Sequence, residues 1–199
     1  MRTPRRSMLS NYELIVKDTV VEDLDINHSF NFLTVAKGTF ADRISIVDSK
    51  FSNVSGAILK LEQENDDFGI YNAEYFDIEN SSFDSVKGAI VDLYRGGTDE
   101  STFGPHLKVV DSSFTSVGKG KRNKSKSSFR IHGVQVTDVS NNVFDDSAGI
   151  AIAHTVAEPV TAIKGNRFIA TSAPTVVELN SDKKNTAMIS GNKFIKGKK

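Results

Sequence analysis

Residues Phe76 to Phe83 read FDIENSSF, a stretch that recurs in altered form down the whole chain. The copies are IVDSKF ending at Phe51, IENSSF at Phe83, VVDSSF at Phe114, VSNNVF at Phe144, IKGNRF at Phe168 and ISGNKF at Phe194. A degraded copy, IVKDTV, ends at Val20, and the successive intervals are 31, 32, 31, 30, 24 and 26 residues. Each copy has a β-branched residue five places before the aromatic and Asp, Asn, Gly or Lys three before it, with Ser or Asn following in most. A period of this length signals stacked repeats, each burying its apolar face only against its neighbours.

The local period says what kind of repeat this is. Apolar residues alternate around each copy (Ile44 and Ile46, Phe76 and Ile78, Leu107 and Val109), the two-residue period of a strand with one face inside. No segment holds a helical period over three turns. Strands that return to one register after a long circuit stack in parallel at about 4.8 Å per coil. The prediction is an all-β, right-handed parallel β-helix of about seven coils, with the Phe column inside and the Asp, Asn and Gly positions at a corner that needs left-handed backbone. A β-sandwich is the alternative, but it has no reason to repeat one motif in phase.

Composition narrows the function. With 25 basic and 25 acidic residues no global field favours a polyanion, so any such attraction must be local. There is no Cys, hence no disulfide framework or thiolate metal site. No run has the length of a membrane span, and MRTPRRSMLS lacks the apolar core of a signal peptide. Residues 1–11 read as a basic segment, the remnant of a linker, and 12–199 as one β-helix domain. The first coil has no evident cap, so we expect a further domain upstream; the closing GNKFIKGKK carries lysines that discourage edge pairing.

After each Phe the chain returns to an apolar strand, and counting from the Phe aligns candidate outward positions. Glu62, Tyr94 and His154 fall at nearly equal offsets, with His132 and Asn180 as their matches in the remaining coils. Lys60, Asp92, Arg130 and Glu178 make a second column, and Arg95 lies just beyond. A linear face of this kind suits an extended sugar polymer. β-Elimination at a uronic acid needs a cation for the carboxylate, a base for the C5 proton and an acid for the leaving oxygen. Arg95, Arg130, or a Ca²⁺ held by Glu62 and Asp92 are candidates for the first; Lys60, Tyr94, His132 and His154 are candidates for the others. The bland reading is that outward strand positions are simply solvated.

Two loops stand apart. YRGGTDESTFGPH (Tyr94 to His106) offers Asp99 and Glu100 as Ca²⁺ ligands, but without the spacing of a known Ca²⁺ loop, so an ordered corner is the plainer reading. GKGKRNKSKSS (Gly118 to Ser128) packs Lys119, Lys121, Arg122, Lys124 and Lys126 together, a run that suits polyanion binding, with a plain solvated loop as the equal alternative. It has no interleaved aromatics to stack bases, so nucleic acid is not expected.

The runs NAEYFDIENSSF, DLYRGGTDESTFGPHLKV, VGKGKRNKSKSS, HGVQVTDVSNNVF and HTVAEPVTAIKGNRF together resemble the C-terminal β-helix domain of two-domain alginate lyases of polysaccharide lyase family six, the group that includes chondroitinase B. The resemblance covers about Ser7 to Phe194. It implies β-elimination at uronic acid units, a secreted or periplasmic protein, an anionic uronan such as alginate as substrate, and a homodimer as one arrangement. That family's Lys base, Arg acid and Ca²⁺, held by Asn and Glu, belong to the N-terminal domain. No stretch here matches that catalytic region; FRIHG shares only an Arg near a His-Gly on a strand. Catalytic residues are therefore not transferred. The expectations are a module that packs on, or extends the substrate surface of, a catalytic domain outside this chain; a self-sufficient lyase using the outward column; or a carbohydrate-binding or purely structural solenoid.

Overall fold

The computed structural model describes residues 12–24, 30–36, 41–62, 73–94, 105–155, 158–179 and 186–197. Among them every regular element is a strand, and all pairings are parallel. Coil 1 runs through Glu13–Lys17, Val20–Glu22 and Leu33–Val35; coil 2 through Ala41–Val47, Lys50–Ser52 and Leu59–Leu61; coil 3 through Ala73–Glu79, Ser82–Asp84 and Val91–Tyr94. Coil 4 comprises His106–Val110, Ser113–Thr115 and Phe129–His132; coil 5, Val136–Ser140, Val143–Asp145 and Ile150–His154; coil 6, Val160–Lys164, Arg167–Ile169 and Thr175–Glu178. Coil 7 adds Thr186–Ser190 and Lys193–Ile195. The first strands of all coils form one sheet of seven, the second strands another of seven, and the third strands a sheet of six. This is a parallel β-helix of seven coils.

The repeat explains the stacking. Phe51, Phe83, Phe114, Phe144, Phe168 and Phe194 pair one above another in the second sheet. Their ring centroids are 5.0, 5.2, 4.8, 4.9 and 5.1 Å apart in order, with planes within 22° of parallel. Phe32 and Phe129 meet the column edge-on. Three places before each Phe the backbone is left-handed, at Asp48, Asn80, Asp111, Asn141, Gly165 and Gly191 (φ from 45° to 66°), residues that tolerate such a turn.

The next residue points inward and builds a ladder. The Ser49 N–H donates to Ser81 Oγ (3.1 Å), Ser81 N–H to Ser112 Oγ (3.1 Å), Ser112 N–H to Asn142 Oδ1 (2.9 Å), Asn142 N–H to Asn166 Oδ1 (2.8 Å) and Asn166 N–H to Asn192 Oδ1 (2.9 Å). Backbone donors that would be orphaned at a corner thus find a partner in the next coil.

One alignment needs correcting. The degraded first copy is VKDTVV, because Val16 pairs with Ile46 and Val21, not Val20, pairs with Phe51. Val20 is 62% exposed, whereas Val21 packs on the core. A one-residue slip exchanges the faces of a strand; the true first interval is 30, and Asp18 (φ 50°), not Lys17, takes the left-handed corner.

Candidate polyanion-binding groove

The outward residues of the third sheet form two files. One runs Thr34, Lys60, Asp92, Arg130, Ala151, Thr175; the other holds Tyr94, His132, Ala153 and Val177. The structure therefore joins Lys60, Asp92 and Arg130 as expected, and sets Tyr94 beside His132. The Arg130 guanidinium pairs with the Asp92 carboxylate and lies 4.8 Å over the Tyr94 ring. Tyr94 and His132 stack with centroids 4.1 Å apart and planes 24° from parallel. Burial, and then the positive charge of Arg130, hold the His132 pKa below its usual value of 6.5, so its neutral form is favoured.

His154 is not in the outward file. Its side chain is 1% exposed, with Nδ1 at 2.7 Å from Glu178 Oε1 and Nε2 at 2.8 Å from Thr161 Oγ1. The reason is register: Ala153, nine residues past Phe144, stands at the level of Tyr94, eleven past Phe83, and of His132, so His154, ten past its Phe, falls on the inward face. Glu178 pairs with His154 and so leaves the Lys60 file too. Glu62 follows the coil 2 strand and is exposed. Arg95, Asp99, Glu100 and Asn180 lie outside the described residues.

Beside the file lies a groove of about 490 Å³. Its floor is the corner between the second and third sheets, Gly56 and Ala57 of coil 2 and Gly88 and Ala89 of coil 3. The corner is close-packed: a Cβ on Gly88 would sit 2.3 Å from the Gly56 backbone, and one on Gly120 would sit 2.6 Å from the Lys87 carbonyl oxygen. Among the described residues Lys60, Lys87, Lys121, Arg122, Lys124 and Arg130 line the groove, against Asp92 as the one carboxylate. Thus a chain of zero formal net charge concentrates six cations on one cleft. Lys60, Lys121, Arg122 and Lys124 have no carboxylate partner among the described residues.

The basic loop is folded, with Asn123 as its staple. Asn123 Nδ2 donates to the carbonyls of Gly118 (2.7 Å) and Ser127 (2.9 Å), and its Oδ1 accepts from Ser125 Oγ (2.7 Å). Backbone bonds from Gly118 N–H to Val86 O (2.9 Å) and Gly120 N–H to Lys87 O (2.8 Å) fasten the loop to coil 3. Lys119 turns away and pairs with Asp146; that hydrogen bond and charge hold the Asp146 carboxyl below its usual range.

Of the candidate Ca²⁺ ligands, Asp99 and Glu100 lie outside the described residues. Among the described residues no three His, Asp or Glu come together, and the Asp92 carboxylate is occupied by Arg130. Sequence reasoning missed Lys87 and Ser55, which line the groove at one corner position of neighbouring coils, each two residues past a left-handed residue, Ser85 and Asn53. It also missed a cluster on the first sheet, where Arg43 pairs with Asp77 and lies 4.7 Å over Tyr75, itself edge-on to His106.

No family model matches the sequence, and no curated protein matches it. Among solved structures, the PL6 family alginate lyase AlyGC superposes with a TM-score of 0.88 at 47% identity over 93% of this chain. A mutant of AlyGC gives a TM-score of 0.84 at 45% identity over 96% of the chain. The chain is a PL6 alginate lyase-related domain. It spans 26% of the length of AlyGC, so the PL6-related domain corresponds to a part of such an enzyme. Among the described residues of the PL6-related domain no helix is long and apolar enough to cross a membrane.

Proposed function

We propose that this domain is the uronan-holding module of an exported alginate lyase, with β-elimination carried out by a catalytic domain outside this chain. The observation that carries the proposal is the groove, in which Lys60, Lys121, Arg122 and Lys124 meet no carboxylate among the described residues. A poly-uronate brings one carboxylate per sugar and supplies the missing partners. The likeness to a PL6 alginate lyase supports this choice of polyanion. On this reading the module packs on an upstream β-helix domain and lengthens its substrate surface, or joins two copies in a homodimer. Lys119 serves only the rim, since Asp146 holds it.

A second reading makes the outward file itself a lyase site, and the neutral His132 stacked on Tyr94 favours it. One pair of experiments separates the two. Electrophoresis of the isolated chain through gels containing alginate or a neutral glucan measures binding; ultraviolet absorbance of the unsaturated product measures elimination. Retardation by alginate alone is expected, weakening with salt as exposed charges are screened within about 8 Å at physiological ionic strength. The Lys121→Ala/Lys124→Ala variant should bind about tenfold more weakly, the equivalent of one or two ionic hydrogen bonds. No absorbance should appear. Equal mobility in both gels would overturn the proposal, and an absorbance rise abolished in His132→Ala would replace it with the second reading.

A further inference from the structure

The two ends of the groove differ in chemistry. At the coil 2 end Ser55 lines the groove and is 7% exposed; its Oγ is turned away from solvent and has no hydrogen-bond partner among the described residues. Buried hydroxyls are almost always paired, so one left unpaired beside a cleft lacks a partner that a group entering the cleft would supply once Ser55 turns about χ1. At the coil 4 end stands the basic loop, held open by Asn123. Between them the floor is the backbone of Gly56 and Gly88, where any larger side chain would collide with the neighbouring coil. Lys87 occupies in coil 3 the place that Ser55 has in coil 2, each two residues past its left-handed residue.

We infer that the groove reads a uronic acid chain lengthwise along the solenoid axis, from the Ser55 hydroxyl of coil 2, past Lys87 of coil 3, to Lys121 and Lys124 of coil 4. The inference rests on the uronan reading above. Coils repeat at about 4.8 Å, close to the advance of one linked pyranose ring, so a ligand touching both ends is roughly three sugars long. The sugar at the coil 2 end hydrogen-bonds Ser55 Oγ through a ring hydroxyl or carboxylate. The sugar at the coil 4 end places its carboxylate among the loop cations. Ser55 is then a length-determining residue, not a charge-determining one.

Titration calorimetry with uronate oligomers of increasing length tests this on the whole chain and on two variants. For the native chain, affinity should climb about tenfold per added sugar up to the trimer and then level off. Ser55→Ala, which removes a hydroxyl bonded to none of the described residues, should weaken the trimer severalfold and leave the dimer unchanged. Lys121→Ala/Lys124→Ala should weaken dimer and trimer alike. A smooth rise with length and no break near three sugars would overturn the lengthwise fit while leaving the uronan reading intact, as would a Ser55→Ala effect equal for dimer and trimer. Failure of every oligomer to bind would overturn both.

Discussion

Asn123 uses its whole side chain inside the basic loop, closing the base through the Gly118 and Ser127 carbonyls and bracing Ser125. It carries no charge, yet it sets where Lys121, Arg122 and Lys124 stand. Asn123→Ala should therefore lower alginate affinity about tenfold by loosening a preorganised loop. The dependence of binding on salt should stay as it is, because the number of cations is unchanged. Affinity electrophoresis at several salt concentrations checks this; a flatter salt dependence would mean that Asn123 does more than position the loop. The candidate residues were legible in sequence as types and columns, but not as faces. Tyr94 faces outward at an odd offset of eleven residues from Phe83, whereas Arg130 and His132 do so at even offsets of sixteen and eighteen from Phe114, because the loop inserted in coil 4 shifts the parity. His154 is inside because the coil 5 connection, two residues shorter than that of coil 3, keeps the parity and leaves its even offset of ten from Phe144 on the inner face. An odd change in the length of the coil 4 connection thus decides which of its side chains reach solvent.

The second sheet is the element that the repeat specifies most fully. In its middle, Phe114 is 0% exposed, stacked between Phe83 and Phe144 and met edge-on by Phe129. At its end Phe194 is 54% exposed and stacks only on Phe168. Phe114→Ala should cost about 3–5 kcal/mol, the usual penalty for a large cavity in a close-packed core. Phe194→Ala should cost about 1 kcal/mol, near the value of one aromatic contact. Urea unfolding of the two variants checks the difference, and similar losses would show that the column does not act as a graded stack. The column, the left-handed corners and the Ser and Asn ladder could all be read from sequence, since each follows from one residue type at one place in the period. The groove could not. It arises where the corner between the second and third sheets changes length from coil to coil, and Ser55, Lys87 and Lys121 become neighbours only once the coils are stacked.

Across the described residues the strands of each coil pack against those of the coils on either side, so cohesion adds up by nearest neighbours. The core residues of coils 3 to 5, such as Ile78, Val109 and Val139, are fully buried. The ends are open: Leu14 of coil 1 is 43% exposed and Ile189 and Phe194 of coil 7 are 46% and 54% exposed, although the positions level with them, Ile44, Ile163 and Phe168, are buried. The Asn ladder also loses its relay there, since Asn192 donates to Ile163 O within the rod but is the last of the series among the described residues. Amide hydrogen exchange should accordingly rank the coils by position. Backbone N–H groups of Val109, Val139 and Phe144 should exchange near the global unfolding limit, and those of Val16, Ile189 and Ile195 much faster, through local fraying. The groove sits on coils 2 to 4, so its floor should fall in the protected part, and a bound uronate trimer should slow exchange at Gly56 and Gly88 more than at the ends. Uniform protection from coil 1 to coil 7 would mean that the rod opens as one unit, and the nearest-neighbour account of its stability would then be wrong.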